Sequence, residues 1–310
     1  MKSVHRKLLR FVAVFFLFQI WLGISIANGQ LNSEILKAAR DGKTDVVKRL
    51  LATGDDPNGR SPGKSTPLIE AAYHGHLDTV QVLLDNGAKI ELFDDSGRTA
   101  LFWAAAGEAY MEVDAQIAMV QLLLAHGAQI NLRDRKGETP LMSAAGEDFR
   151  SDLVKFLVQH GAEVNAQDND GDTALNSAAR GCSVWDKEAM KSMTELLNAD
   201  ADPNLRNKEG ETALMVAVRE ESDTCARLLL AHGARIDAVN AHHQTLLHLA
   251  ALGDGADDSQ DYAGNPDLVR LLLARGVPAN ARDDRGKTAL QLAQAHKRRR
   301  MVAVLLKAAH

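Results

Sequence analysis

Little in this 310-residue chain points to catalysis. No Gly-x-x-x-x-Gly-Lys-Ser/Thr motif is present to cradle a phosphate, and the glycines recur where turns and helix caps need them. Nucleophilic catalysis by Ser, Cys, His and Asp needs a cleft with a supporting shell, which the sequence does not set out. The chain is therefore read as a non-enzyme, with no catalytic, cofactor-binding or metal-binding residues and no cofactor. An excess of basic charge is also missing. The 36 Lys+Arg face 41 Asp+Glu, which argues against nucleic acid as the main partner. Cysteine occurs only at Cys182 and Cys225, and a long charge-free apolar run occurs only at the start.

That start stands apart from the rest. Lys2, Arg6, Lys7 and Arg10 precede a charge-free stretch from Phe11 to Ile26, interrupted by Gln19, Gly23 and Ser25. Ser25-Ile26-Ala27 and Ala27-Asn28-Gly29 are small-x-small patterns, so 1–29 reads as a secretory signal peptide cleaved near 27–29. The alternative is an uncleaved membrane anchor, for which the run falls short of the roughly 20 residues a spanning helix needs. Removing 1–27 leaves 32 Lys+Arg against 41 Asp+Glu, a formal charge of −9. A periplasmic or secreted location is expected, with membrane contact only if the segment is retained. The compact export signal and low cysteine count favour a Gram-negative periplasm.

From 30 to 310 one theme repeats. A Thr-x-Leu-x-x-Ala-Ala core, varied in places, begins near Ser33, Thr66, Thr99, Thr139, Thr173, Thr212, Thr245 and Thr288, at spacings of 33, 33, 40, 34, 39, 33 and 43 residues. In the second copy, Thr66 is placed to cap a helix, and Pro67 suits its first position, where the missing N–H costs nothing. Leu68, Ala71 and Ala72 form an apolar stripe, and the alanines let neighbouring helices approach closely. Gly75 ends that helix. A second helix is expected from about Leu77 to Asn86, with Val80, Leu83 and Leu84 inward, capped by Gly87. The segment from Glu91 to Arg98, with Asp94 and Gly97, reads as a tight hairpin turn.

This pattern resembles the ankyrin repeat family. The resemblance implies an all-α solenoid of about eight helix-turn-helix repeats joined by hairpin-like turns, each burying its apolar face against the next. It implies non-catalytic protein–protein binding, by a monomer, through the concave side made of hairpin tips and first helices. On that side would lie Phe93, Trp103, Arg133, Arg135, Ser143, Gln167, Arg206, Val239 and Arg282. These carry no run of one sign, so a mixed polar interface is expected.

The copies depart from the family in informative places. Its usual His in the fourth place is replaced by Leu36, Ile69, Phe102, Met142, Asn176, Met215 and Gln291, and kept only as His248. Hydrophobic packing is expected in place of a hydrogen-bond ladder. His243 replaces a hairpin glycine, so that hairpin should be strained or reshaped. Asp200 replaces a helix-capping glycine. The third, fifth and seventh copies are longer, with the extra residues expected between the two helices, at Gly107–Gln116, Cys182–Ala189 and Gly253–Pro266. All three would emerge on one edge, each acidic and each with one aromatic: Tyr110, Trp185 and Tyr262. They are read either as a second contact row or as plugs over their own helix pairs.

Alternative chemistry is thinly supported. His242, His243 and His248 cluster, but without a cysteine or a clear carboxylate partner in sequence, so a metal-dependent protein is a remote alternative. The acidic stretch Asp254 to Asp261 lacks the spacing that closes on calcium. Cys182 and Cys225 lie on adjacent copies. Export would permit a disulfide, but the register places them near the ~7 Å limit between Cα atoms, and two free, partly buried thiols are expected. The run His296-Lys297-Arg298-Arg299-Arg300 is read as the solvated face of a terminal cap, with contact to anionic phospholipid headgroups as a secondary reading.

Overall fold

The structure is a computed structural model that describes residues 34–107, 112–146, 150–182, 187–253 and 265–308. Sixteen helices lie among them, and the strand-like pairing described there is one isolated bridge between Phe93 and Thr99. The helices come in pairs, one pair per copy: α1 (34–40) with α2 (Thr44–Ala52), α3 (Pro67–Tyr73) with α4 (Leu77–Asp85), and α5 (Ala100–Ala106) with α6 (Val113–Ala125). There follow α7 (Pro140–Gly146) with α8 (Ser151–Gln159), α9 (Ala174–Arg180) with α10 (Lys187–Asn198), and α11 (Ala213–Arg219) with α12 (Asp223–Ala231). The last two pairs are α13 (Leu246–Leu252) with α14 (Pro266–Ala274), and α15 (Ala289–Ala295) with α16 (Arg299–Ala308).

The repeated threonine starts the first helix of its copy, as its position predicts. The hydroxyls of Thr66, Thr99, Thr139, Thr173, Thr212 and Thr288 accept the backbone N–H three residues on, at 3.2–3.4 Å. Each such cap is worth about 1 kcal/mol. The alanine pairs, such as Ala71 with Ala72 and Ala178 with Ala179, are fully buried between helices. Leu68, Leu83, Leu101, Leu141, Leu157 and Leu175 fill the space around them, each contributing roughly 2 kcal/mol by leaving water.

The chain divides into two compact units, one of 1–111 with 118–128 and the other of 112–117 with 129–310. In the first, α3 packs on α5 and α2 on α4. Arg40 reaches Glu70, the His76 ring meets the Arg40 carbonyl at 2.8 Å, and Asn58 bridges to the Gly87 carbonyl and the Lys89 N–H. Gly42 stands against the His76 ring with φ 65°, and a Cβ there would come within 2.6 Å of two ring atoms.

In the second unit the same kind of bridge recurs. Asn131 donates to the Gly161 carbonyl and accepts from Glu163, Asn165 serves Asp200 and Asp202, and Asn204 serves Gly233 and Arg235. Hairpin tips are joined by backbone bonds from Asn169 to Lys136, Lys208 to Asp170, Ala241 to Glu209 and Asp284 to His242, at 2.8–3.0 Å. The expectation of packing without a hydrogen-bond ladder is thus corrected. Asparagines of the turns and the hairpin backbone carry a ladder, while the fourth-place residues are largely buried. His248 alone keeps the family's bridge there, its Nε2 meeting the Lys287 carbonyl at 3.0 Å.

Two further expectations are revised. Extra residues of the third and fifth copies lie partly within helices: α6 and α10 run 13 and 12 residues against 9 for α4 and α8, and Gln116 and Ala189 are buried. Cys182 and Cys225 are not free thiols. They form a disulfide with Cα atoms 6.3 Å apart, inside the permitted range, and both are buried. Of the two outcomes expected for the His243 hairpin, the backbone shows strain without reshaping. His243 takes φ 57°, and Asn240 N–H still donates to the Gln244 carbonyl. Asp200 similarly takes φ 62° at its helix cap.

Candidate protein-binding surface

Phe93 lies at the hairpin stem of the first unit and is 49 % exposed, unusual for so large an apolar ring. Ten residues on, Trp103 projects half-buried from α5, because its place four residues after the cap faces away from the alanine seam. Its indole N–H donates to the Asp94 carboxylate at 2.8 Å, which fixes the ring. Tyr73, at the end of α3, meets Trp103 edge-on with centroids 5.1 Å apart. The Arg98 guanidinium lies over Phe102 at 4.5 Å and Trp103 at 4.9 Å, close enough for cation–π attraction.

Trp103, Tyr73, Asp94, Glu70 and Arg40 line an open groove of about 380 Å³. Burial raises the Glu70 carboxyl's pKa, but hydrogen bonds from Arg40 and Ser65 outweigh it and hold the group below the usual carboxylate range. The hydrogen bond to Glu70 raises Arg40 in turn. The groove therefore carries a fixed charge pair beside an aromatic wall. Tyr73, Arg98, Glu70 and Arg40 were missed from sequence. For Tyr73 a signal existed: it stands seven residues after the cap, where the next copies have Ala106 and Gly146.

In the second unit the expected contact residues fall into a row with another occupation. Arg133 donates to the Gln167 carbonyl at 2.6 Å, Gln167 to the Arg206 carbonyl at 2.9 Å, and Arg206 to the Val239 carbonyl at 2.6 Å. Each side chain thus binds the backbone of its counterpart one copy on. Arg282 turns back to the Gly286 carbonyl of its own hairpin. Arg135 is exposed, and its carbonyl accepts from Asn169. Ser143, expected on the surface, is buried with its hydroxyl unpartnered, beside Gly146 and Ser177.

Tyr110, Trp185 and Tyr262 of the longer copies, and the acidic stretch Asp254 to Asp261, lie outside the described residues. At the margin of the fifth copy's insertion, Glu188 is engaged by the Ser151 hydroxyl at 2.9 Å and by Lys191. The three clustered histidines have separate tasks. His242 meets the Asp284 carboxylate at 3.2 Å, His243 forms a hairpin tip, and buried His248 spends one ring nitrogen on Thr245 and the other on Lys287. No cluster of three metal-ligating side chains occurs among the described residues, and no helix among them is long and apolar enough to cross a membrane.

One sequence string bears on catalysis. Gly59-Arg60-Ser61-Pro62-Gly63 spells Gly-x-Ser-x-Gly, but no strand-to-helix elbow presents it. Ser61 instead closes a turn, its N–H donating to the Ser65 carbonyl and its hydroxyl accepting the Ser65 N–H at 3.0 Å. The terminal basic run is also corrected. Arg298 is buried, paired with Glu221 and donating to the Leu252 carbonyl at 2.9 Å, while its neighbours are exposed.

The sequence matches the family described as ankyrin repeats (3 copies) over 35–134, 109–189 and 183–259, and that described as ankyrin repeats (many copies) over 262–293. An ankyrin repeat-containing protein of Schizosaccharomyces pombe is 42 % identical over 65 residues, covering 21 % of this chain and 31 % of the relative. An ankyrin repeat protein of Pyrobaculum aerophilum is 41 % identical over 86 residues, 28 % of each chain. A Caenorhabditis elegans homologue of transient receptor potential cation channel subfamily A member 1 is 37 % identical over 99 residues, covering 32 % of this chain and 7 % of the relative. The match thus spans less than a third of the length of each relative.

Proposed function

This chain belongs to the ankyrin repeat family, and on that premise we propose that it is an exported, monomeric, non-catalytic binding module that grips a protein partner through the hairpin and first-helix face of its first unit. Ankyrin repeats generally mediate protein–protein contacts. The observation that carries the choice of face is the half-exposed Phe93 beside the ordered Trp103–Tyr73 groove. Aromatic rings held in place by hydrogen bonds and stacking lose little entropy on binding, and interface energy concentrates in such anchors. The row Arg133–Gln167–Arg206 is committed to neighbouring carbonyls and contributes shape more than donors.

Export is supported by the N-terminal segment and by the Cys182–Cys225 disulfide, which persists in oxidising compartments. The test is capture from envelope extract by wild type and by a Phe93→Ser/Trp103→Ser variant of matched thermal midpoint. A protein captured by wild type and lost by the variant is the expected result. Equal capture by both would reject this face.

A further inference from the structure

Charge along the chain is uneven. Residues 265–310 hold ten Lys+Arg against three Asp+Glu, whereas 28–264 hold 22 against 38. Four of these cations, Arg270, Arg299, Arg300 and Lys307, stand on α14 and α16 of the second unit, which pack side by side. Pro266 and Arg270 of α14 and Arg300, Ala303, Val304, Lys307 and Ala308 of α16 line a groove of about 460 Å³.

The helix explains the arrangement. Met301 and Leu305 are buried, so the opposite side of α16 presents Arg299, Arg300, Ala303, Leu306 and Lys307 to solvent. Leu306 is 43 % exposed, one of three large apolar side chains so exposed among the described residues. Arg298 is turned inward to Glu221 and Arg270 is paired with Asp267, but among the described residues no ion pair occupies Lys297, Arg299, Arg300 or Lys307. Cations elsewhere in the unit are commonly neutralised: Arg180 by Asp172, Arg219 by Glu211, Arg227 by Asp223, Arg235 by Asp237.

We propose that this face docks on an anionic phospholipid surface. Unpaired cations match the headgroup phosphates, and Leu306 with the apolar floor of the groove enters the interface beside them. Lysine and arginine suit that boundary because their stems lie on apolar material while the heads reach polar groups. An acidic chain would otherwise be repelled by such a surface, so the attraction is local and falls off within a Debye length.

The test uses the full chain, with the same N-terminus in every variant. Co-sedimentation is measured with vesicles of phosphatidylcholine alone and of phosphatidylcholine mixed with phosphatidylglycerol, in low and high salt. Wild type is expected to bind only the mixed vesicles and to release them in high salt. The Arg299→Gln/Arg300→Gln/Lys307→Gln variant should bind on the order of a hundredfold more weakly, about fivefold per cation. These side chains are exposed, and an unchanged thermal midpoint checks the fold. Failure of wild type to bind, equal binding to neutral vesicles, or undiminished binding by the triple variant would each overturn the proposal. In the last case the N-terminal segment holds the protein on the vesicle.

Discussion

Phe93 in the first unit and Arg133, Gln167 and Arg206 in the second occupy one register position, the second residue after each turn's Asn or its replacement. In the second unit the position is a staple, each side chain hydrogen-bonded to the carbonyl of its counterpart in the next copy. Phe93 has no side-chain donor to spend in that way, and half its surface stays exposed. One position in a repeat can therefore tie the array together or stay open to solvent, and the side chain's chemistry decides which. A long donor reaches the neighbour's backbone, whereas a ring offers area for an interface.

The largest effect expected from this contrast is on binding. Phe93→Ser with Trp103→Ser should weaken partner affinity by at least about a hundredfold, since anchors of this type carry 2 kcal/mol or more each. Isothermal titration with the captured partner measures it. Next comes the seam between the fifth and sixth copies. Replacing Cys182 and Cys225 by alanine should cost the second unit about 2–4 kcal/mol and leave the first unchanged, as read by hydrogen exchange in each unit. Loss of protection in both units alike would show that the disulfide's effect is not local.

Smaller effects separate the staple from the contact. Arg206→Ala should lower stability by about 1 kcal/mol in urea denaturation, the net worth of a typical hydrogen bond, with affinity for the partner unchanged. Asp55 offers the opposite sign. It is buried, with one carboxylate oxygen unpartnered, where other copies have Ala88, Ala128, Ala162, Ala201 and Ala234. Asp55→Ala should raise stability by about 1 kcal/mol, the lower range of the cost of an unsatisfied buried polar group.

The two carboxylates of the first unit also predict opposed pH responses. Glu70 is held below the ordinary carboxylate range, so its contribution is complete above that range and is lost as pH falls through its lowered pKa. Burial raises Asp55, so its penalty is greatest when it is charged and is relieved on acidification. Thermal melts of Glu70→Gln should show a weaker loss of stability in acid than wild type, and melts of Asp55→Asn a steeper one. If both variants track wild type, neither carboxyl is coupled to folding.

The sequence made the repeat legible because its signals are local. A capping threonine, a small-residue stripe and a glycine past each second helix act within one copy, and their spacing is read directly. The links between copies were less legible. Asn58, Asn131, Asn165 and Asn204 look like ordinary turn residues until the next helix end is set against them. Arg298 looked solvated because its partner Glu221 lies 77 residues away. The pairing of Cys182 with Cys225 turned on a difference of an ångström or so in register, finer than repeat alignment resolves. Phe93 and Trp103 stand in the hairpin and first-helix columns that the family resemblance implies for contact, whereas Tyr73 required comparing one column across all copies.

Site-specific photo-cross-linking tests the division of labour most directly. A benzophenone side chain placed at Phe93, and separately at Arg206, is irradiated in intact cells and the products are resolved by mass. The account predicts an intermolecular adduct from position 93 and none from position 206. The same adduct from position 206 with none from position 93 would contradict it.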